Sequence, residues 1–391
     1  MSQSLATRVA LPFSLLAGAS FLSSAGARVV DPLLHVVASD FNVAVSSVSI
    51  IVAAFTLPYG LNQILLGPIG DRFGKLRVMF FALLGYTVAT ALCALAPSLP
   101  LLTVARACAG AASAGLIPVG LAYIADNVPY EGRQVAMARL LNGIVLAQIL
   151  AGPFGGLFGQ YVGWRGVFLL LSACALVVAA LMARHLLAFG DAPPIAAGFE
   201  YGNYKLLFRN RMSRLLLLGA MVDGMVFAGT FPFLAPYLRD AFGLSYAQVG
   251  VVLAFFGLGI FGYTQGARRL VPLLGEKGLV LAGGVVAAAG LAIGMLAQRW
   301  EAFIVVEPML GLGYFMLHSV VQARATEMLP TARGTAVSGF AFMLFLGQSI
   351  GALLVGLGIA WFGYRTTFWI DAGGVLLLGL ALRVLFEREA S

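Results

Sequence analysis

Gly163-Trp164-Arg165-Gly166-Val167-Phe168 returns 200 residues later as Gly363-Tyr364-Arg365-Thr366-Thr367-Phe368, with glycine, arginine and phenylalanine in the same places. Arg133 and Gln148 recur at the same offset, as Arg333 and Gln348. Apolar matches would carry little weight in a chain that is 61% hydrophobic, whereas charged and polar matches without a gap are specific. Because such a repeat sets the period of an architecture, we predict two like halves.

The composition places both halves in a membrane. Only 10% of the residues are charged, and apolar runs of about 20 residues follow one another along the chain, each long enough to cross the hydrocarbon layer as a helix. The runs are continuous rather than alternating, which favours helices over barrel strands. We therefore expect an all-α integral membrane protein with twelve transmembrane helices, at about 10–37, 45–66, 78–96, 101–125, 135–160, 165–187, 213–238, 246–266, 278–297, 302–324, 334–359 and 365–386.

These helices divide into an N-terminal six-helix bundle at 1–187 and a C-terminal one at 213–391, joined by a cytoplasmic linker at 188–212. If both termini are cytoplasmic, most of the 24 lysines and arginines fall in cytoplasmic loops, as the positive-inside rule requires. This topology accounts for the formal charge of +8 without any nucleic acid partner. We expect a monomer in the cell (inner) membrane.

A loop motif between the second and third helices is the most specific local signal. It reads Gly67-Pro68-Ile69-Gly70-Asp71-Arg72-Phe73-Gly74-Lys75-Leu76-Arg77, in which glycines permit a tight reversal and the charges sit at a membrane surface. Here the chain resembles the major facilitator superfamily, whose loop pattern is matched at Gly67, Asp71, Arg72, Gly74 and Lys75. The resemblance implies two pseudo-symmetric six-helix bundles that work by alternating access.

Within that resemblance, Asp71 would face the N-terminus of the eleventh helix, near Gly334 and Thr335, and latch the cytoplasmic side closed. Ordinary inner-loop charge that serves topology is the alternative. Further charged residues after the fourth and tenth helices could form ion pairs between the halves. The expected conformational gate comprises Gly67, Gly70, Asp71, Arg72, Gly74, Lys75, Arg77, Asp126, Glu131, Arg133 and Arg333.

The fifth helix carries a second motif, Gly152-Pro153-Phe154-Gly155-Gly156. Proline removes an internal hydrogen bond and glycines let neighbouring backbones approach, so the helix is expected to bend and pack tightly. Gly152, Pro153, Gly155 and Gly156 resemble the antiporter motif of drug/proton exporters, although Gln148 stands where that group usually has glycine. A packing kink with no bearing on transport direction is the alternative.

Ionisable side chains inside a bilayer are costly and are therefore candidates for function. Arg28 and Asp31 in the first helix, Arg106 in the fourth and Glu307 in the tenth fall at nearly the same depth. Arg106 also resembles a fourth-helix arginine that the superfamily links to proton transfer. We expect Asp31 to pair with Arg106 and to exchange partners during proton uptake and release; a static pair, or local neutralisation by Arg28, is the alternative.

Asp223 lies near the membrane midplane in the seventh helix, without a partner close in sequence, and is expected to carry a proton or contact substrate. Other polar and aromatic positions predict a mixed surface suited to an amphipathic compound. Those positions are Tyr59, Asn62, Gln63, Asn142, Gln148, Tyr263, Gln265, Tyr314, His318, Phe345 and Gln348. The repeat places Gln148 and Gln348 at equivalent depths, where they could flank one site near the pseudo-twofold axis.

These observations predict a proton-coupled secondary transporter that exports small amphipathic organic compounds in exchange for protons. Proton symport for uptake keeps the same fold and is the main alternative, and a lipid flippase is a more remote one. We expect neither an enzyme nor a cofactor or metal, because no phosphate-binding loop and no Cys/His metal spacing occurs. The expected partners are an organic solute, protons and the lipid bilayer.

Overall fold

The computed structural model describes residues 12–190 and 201–389. The first half contains α-helices at Pro12–Arg28, Leu34–Asp40, Val45–Val48, Ile50–Phe73, Lys75–Leu95, Leu99–Ser113, Leu116–Asn127 and Tyr130–Phe189. The second half contains α-helices at Tyr201–Arg209, Arg211–Asp223, Leu234–Phe242, Tyr246–Leu296, Phe303–Ala325 and Arg333–Glu389.

Within these residues, nine helical segments are long and apolar enough to span a membrane. Three of them change direction at a glycine in the left-handed region, with φ of 70° at Gly163, 61° at Gly275 and 77° at Gly363. Glycine adopts such angles without the steric cost that other residues meet. Since each of the three counts as two spans, the described chain has the twelve spans that the sequence predicts, numbered here in chain order.

The repeated hexapeptide now has a structural reason. Gly163 and Gly363 reverse the chain between spans five and six and between spans eleven and twelve. Five residues later, Phe168 and Phe368 are fully buried and anchor the returning helices. The similarity of the two segments therefore reflects two equivalent turns, each fixed by a glycine and an aromatic anchor.

The bundle has two ends, named here by the residues they carry. The basic end holds Lys75, Arg133 and Arg333, and the far end holds Gly163 and Gly363, because successive spans run in opposite directions. Close approach between spans depends on glycine at a few points: a Cβ at Gly110 in span four would overlap the carbonyl oxygen of Phe55 in span two.

A short helix, Tyr201–Arg209, lies inside the stretch predicted as a linker. Its Leu207 is fully buried and lies against Gly339 of span eleven. The hydroxyl of Tyr204 is 2.9 Å from that of Ser338 on the same span. The part of the linker at 201–209 is thus a helix docked at the basic end; residues 191–200 lie outside the described part.

Candidate functional site

Spans one and seven are both interrupted at the same point of the repeat. A single 3-10 turn occupies Asp31–Leu33 in span one and Phe231–Phe233 in span seven, with Pro32 and Pro232 in the middle. Proline lacks a backbone N–H and fits the start of a helical segment but not its interior. Regular α-helix resumes only at Leu34 and Leu234. The two turns pack against each other at the interface between the halves, called the seam here.

Arg28 and Asp31 form an ion pair at this interruption in span one. Arg28 Nη1 lies 3.6 Å from Asp31 Oδ2, and the Asp31 side chain is 2% exposed. The Arg28 guanidinium also lies 4.5 Å from the ring centre of Phe231 in span seven. A cation over an aromatic face is attracted by the ring quadrupole. Arg28 therefore links the first half to the second.

Arg106 is almost fully buried but does not bind Asp31 directly. Its Nη1 donates to the carbonyl oxygen of Gly26 at 2.8 Å, and its Nε donates to that of Ile51 at 3.3 Å. The guanidinium also stacks 4.3 Å from the ring centre of Phe55. The expected Asp31–Arg106 pair is wrong for this structure, because Arg28 is one turn away on the same helix and the helix end leaves the Gly26 carbonyl in need of a donor.

Glu307 in span ten is completely buried, and neither of its carboxyl oxygens has a hydrogen-bond partner. Arg28 acts on it electrostatically across the seam. An isolated charge in such surroundings is expensive, so the carboxyl group needs either a counter-charge or a bound proton. Of the four predicted residues, Asp31 binds Arg28, Arg106 is held by backbone carbonyls, and Glu307 is buried without a hydrogen-bond partner. A single layer that joins all four stays a prediction.

Asp223 has a partner that the sequence did not indicate. Its Oδ2 lies 2.7 Å from Nδ1 of His318 in span ten, and both side chains are buried. The His318 ring stacks on Tyr314, with 4.9 Å between ring centres. The expectation of an isolated carboxylate is corrected, and His318, expected in the substrate cavity, belongs to this buried pair. Span seven continues directly after Asp223 as a π-helical turn, Gly224–Ala228.

One face of span ten connects the two groups of charges. Glu307, Tyr314 and His318 follow one another at spacings of seven and four residues, which places them on one side of an α-helix. Tyr314 and Arg28 also border a small cavity, together with Phe231 and Phe256. Its free volume is about 20 Å³, close to the space that one water needs. The face runs from the Arg28 cluster to the Asp223–His318 pair.

Some of the predicted cavity residues are used in packing within one half. Asn62 Nδ2 donates to the carbonyl oxygen of Ala111 at 3.1 Å, and the hydroxyl of Tyr263 lies 2.7 Å from that of Ser319. Asn142 and Gln265 are exposed, Gln63 and Gln148 are half-buried and Gln348 is buried. A shared substrate site between Gln148 and Gln348 stays a prediction.

Tyr59 and Phe345 instead meet across the seam. Their ring centres are 4.6 Å apart in an edge-to-face arrangement. One turn toward the far end, the hydroxyls of Thr56 and Ser349 lie 2.7 Å apart. Still nearer the far end, His35 Nε2 lies 3.4 Å from Asp240 Oδ1. Sequence reasoning missed Thr56, Ser349, His35 and Asp240.

The glycine motif of span five is also part of the seam. A Cβ at Gly152 would lie 3.1 Å from the carbonyl oxygen of Gly250 in span eight, and one at Gly156 would overlap that of Tyr246. Gly155 faces the other way, onto Val29 at the interruption of span one. The motif therefore packs three spans together at the far end, with Pro153 inside the helix as expected.

The basic end is arranged differently, because the ion pairs described there stay within one half. Lys75 pairs with Asp126, and Arg333 lies 3.3 Å from Glu327. The guanidinium of Arg133 donates to the carbonyl oxygen of Val128. Asp126 and Arg333 were expected in ion pairs between the halves, but each has a partner within its own half. The reason is that the two halves are in contact at the far end.

The expected latch cannot be located among these contacts. The side chains of Asp71 and Glu131 lie outside the described part of the molecule. Gly74 ends the reversal before span three with φ of 94°, an angle that suits glycine, and Arg72 stacks over Phe73. The latch between Asp71 and span eleven stays a prediction.

Comparison with known proteins identifies the architecture. A family model described as the Major Facilitator Superfamily matches residues 16–264 and 216–391. The chain belongs to the major facilitator superfamily. A chloramphenicol resistance protein of Streptomyces lividans is 30% identical over 382 residues, which cover 96% of this chain and 95% of the relative. The inner membrane transport protein YnfM of Escherichia coli is 24% identical, over 91% of this chain and 84% of its own.

Solved structures of other transporters have the same fold. A bacterial homologue of the human lysosomal transporter Spinster, in an inward-facing and unoccupied conformation, aligns with a TM-score of 0.77 and 18% identity, over 95% of this chain and 93% of its own. A D-xylose–proton symporter aligns with a TM-score of 0.75 and 16% identity, over 94% and 95%. This superfamily member is therefore a multi-pass membrane transporter and not an enzyme, as the sequence predicts.

Proposed function

We propose that this transporter exports small amphipathic organic compounds in exchange for protons. The observation that carries the proposal is a set of buried ionisable groups at the seam: the Arg28–Asp31 pair of the first half, which reaches Phe231 of the second, and Glu307 of span ten, which has no hydrogen-bond partner. Charges in a bilayer are retained where function requires them. Rocking of the halves changes the separation of Arg28 and Glu307, so proton binding at the carboxyl group becomes linked to the conformation.

Export is favoured over uptake by two observations. Gly152 and Gly156 make the far-end contact that resembles the antiporter motif. The relative from Streptomyces lividans is named for chloramphenicol resistance, which makes a neutral aromatic amide of that kind the first compound to test.

We further propose that the basic end is cytoplasmic and that the structure represents the state closed at the far end. Positive loops stay on the cytoplasmic side of a bacterial membrane. The contacts Thr56–Ser349, His35–Asp240 and Tyr59–Phe345 close the opposite side. Asp71 would engage span eleven in the other state, where a carboxylate gains from the positive end of a helix.

Transport in liposomes tests the coupling. The purified protein is reconstituted, a pH gradient is imposed in either direction, and the uptake of radiolabelled chloramphenicol and of unrelated solutes is measured while the internal pH is recorded. We expect solute to move against the proton flux. Movement with the proton flux would establish symport, and movement indifferent to the gradient would defeat proton coupling altogether.

The latch has its own test. Asp71→Asn should slow transport while insertion stays normal, because the amide keeps the size of the side chain but loses the charge. The interaction of a charge with a helix end is worth up to ~2 kcal/mol in partly buried positions. Unchanged transport kinetics, with Glu387→Gln at the basic end of span twelve as the control for loss of a surface carboxylate, would show that Asp71 serves topology alone.

A further inference from the structure

A carboxylate, an aromatic residue and an arginine recur in the two halves at the far end. They are Asp40, Trp164 and Arg165 in the first half and Asp240, Tyr364 and Arg365 in the second. In both halves the aromatic residue and the arginine directly follow the left-handed glycine that reverses the chain. The repeat alone therefore predicts the same contacts among the three side chains in each half.

In the first half, Asp40 is bound within its own half. Its Oδ2 accepts hydrogen bonds from Nη1 of Arg165 and, at 3.2 Å, from Nε1 of Trp164. The guanidinium of Arg165 stacks 4.1 Å from the ring centre of Trp164, and its Nη2 donates to the carbonyl oxygen of Ala96 at 3.2 Å. Asp40 and Arg165 are each 42% exposed, so this pair joins span one to the turn before span six at the protein surface.

In the second half, Asp240 contacts the other half instead. Its Oδ1 lies 3.4 Å from Nε2 of His35 in span one. The other ring nitrogen of His35, Nδ1, is buried and has no hydrogen-bond partner among the described residues, so Nε2 is the atom that meets the second half. At the offset of 200, His35 corresponds to Ala235, which can offer Asp40 no such contact. The histidine therefore accounts for the different partners of the two carboxylates.

Arg365 has no ion pair as a result of this difference. It is exposed, and none of the carboxylates among the described side chains lies within ion-pair distance of it. It borders a cavity of about 650 Å³ at the far end, together with Asp240, Gln298 and Tyr364, whose hydroxyl interacts with Asp240. Because Arg365 and Asp240 both stand at the wall of this cavity, the arginine can approach the carboxylate without displacing a packed side chain.

The neighbouring arginine of span seven is already engaged. Arg239 stacks 3.7 Å from the ring centre of Tyr246 and donates to the carbonyl oxygen of Leu244 at 3.0 Å. Arg365 is thus the cation that its own half offers to Asp240. It stands two residues after the reversing glycine, which is the position from which Arg165 reaches Asp40.

We propose that Asp240 exchanges partners during transport, binding His35 while the far end is closed and Arg365 once it opens, as Asp40 binds Arg165. This exchange rests on the proposed assignment of the structure to the state closed at the far end. When the halves separate, His35 leaves Asp240, and a carboxylate without a partner loses a charge-assisted hydrogen bond. Arg365 replaces that bond from within its own half.

The two partners differ in strength, which makes the exchange reversible. Arginine is always charged, whereas histidine is charged only when protonated. His35 therefore holds Asp240 only where other contacts, such as Thr56–Ser349, keep the halves together. His35 is a positioning residue for the closed far end, and Arg365 is one for the open far end.

The separation of two spin labels at the far end tests the exchange. Tyr161 and Trp361 are equivalent in the repeat, are 75% and 72% exposed and belong to different halves, so a label at each reports how far the halves are apart. The full chain, with its three cysteines replaced by alanine and with Tyr161→Cys/Trp361→Cys, is measured in lipid nanodiscs by double electron–electron resonance. Neither solute nor a pH gradient is applied.

The two positioning residues should act in opposite directions. His35→Ala should raise the ratio of open to closed molecules and Arg365→Gln should lower it, by about two- to fivefold each, as expected for exposed ion pairs. Both effects should vanish when combined with Asp240→Asn. Arg165→Gln, the matched control in the first half, should leave the ratio unchanged. A wild type that is wholly closed is replaced by Thr56→Ala as the partly open background for all variants.

Three results would overturn the exchange: shifts of His35→Ala and Arg365→Gln in the same direction, no shift with Arg365→Gln, or shifts that persist in full beside Asp240→Asn. In the last case the side chains would act through packing and not through the carboxylate. Thermal unfolding of each variant confirms that it is folded. Opposite shifts in a protein that fails to move solute against protons would count against the proposed export and leave the exchange intact.

Discussion

The interruption at Pro32 in span one and that at Pro232 in span seven have the same backbone and different chemistry. In span one, the residues around it are Ser23, Arg28 and Asp31; at the offset of 200, span seven has Asp223, Ala228 and Phe231. Ser23 binds a hydroxyl and a carbonyl oxygen inside its own half, whereas Asp223 binds His318. The repeat therefore preserves the turn and replaces the groups that can carry charge.

A second difference concerns how each half satisfies its buried charge. The first half holds Arg106 on two backbone carbonyls and a phenylalanine face, so this cation is fixed in place. The second half holds Glu307 without a hydrogen-bond partner and Asp223 on a single histidine. We infer that the first half supplies a static positive framework and the second half supplies the carboxyl groups that exchange protons. The following substitutions test this division of roles.

Arg106→Leu should have the largest effect. It removes the donors to Gly26 and Ile51, and a buried acceptor without a partner costs ~1–3 kcal/mol. We expect loss of transport and a decrease in the free energy of unfolding, measured by thermal or denaturant unfolding in lipid discs. Val306→Leu, at the equivalent place in the second half, adds one methylene to a buried site and should cost ~1–3 kcal/mol of stability, but it removes no hydrogen bond and should leave transport in place. Equal loss of transport in the two variants would contradict a special role for the arginine.

Asp223→Asn should abolish most gradient-driven transport while leaving the protein folded. The amide keeps the size of the side chain but cannot bind and release a proton, so the rate should fall about tenfold or more, a change of ~1.4 kcal/mol or more in the barrier. The measurement is initial solute flux against external pH in proteoliposomes. Ser23→Ala is the control at the equivalent position. If Asp223→Asn keeps the wild-type dependence on pH, Asp223 is outside the coupling mechanism.

Glu307→Gln should lower proton-driven transport while leaving the stability of the protein nearly unchanged. Because neither oxygen of Glu307 is hydrogen-bonded, the amide should leave the free energy of unfolding within ~1 kcal/mol of the wild type. The amide cannot carry the charge that would interact with Arg28. A loss of ~1 kcal/mol in the coupling between proton binding and transport corresponds to about a fivefold lower flux under a pH gradient. Exchange of solute without a gradient should persist. A large loss of stability would instead assign Glu307 a structural role.

Gly156→Ala and Gly356→Ala change the equivalent glycines of spans five and eleven, each of which contacts the other half. They should have the smallest effects. A Cβ at Gly156 would overlap the Tyr246 carbonyl oxygen, whereas one at Gly356 would meet the Ser49 side chain at 2.6 Å and the nearest backbone atom, the Ser46 carbonyl oxygen, only at 3.0 Å. Overpacking costs ~1–3 kcal/mol where the neighbour cannot move. Gly156→Ala should therefore reduce far-end closure more, measured as the disulfide yield of Thr56→Cys/Ser349→Cys. The reverse order would contradict the assignment.

The sequence was informative where the physics is local. The turns at Gly163 and Gly363 need a left-handed residue, and the spans need about 20 apolar residues, so both were recognisable from residue type and spacing. Arg28 and Asp31 stand one turn apart, and their pairing was among the alternatives. Asp223 and His318 are 95 residues apart, and nothing in either segment specifies the other.

The sequence by itself determined that this chain crosses the membrane as two related sets of six helices. Hydrophobic length, glycine at the turns and the offset of 200 are properties of the chain alone. Only the tertiary structure decided that Arg106 binds the Gly26 carbonyl and not Asp31, and that Asp223 meets His318. These partners depend on which donors and acceptors the helix interruptions leave unpaired, because no water is present in the bilayer to satisfy them. The unpaired groups are known only after the spans are packed.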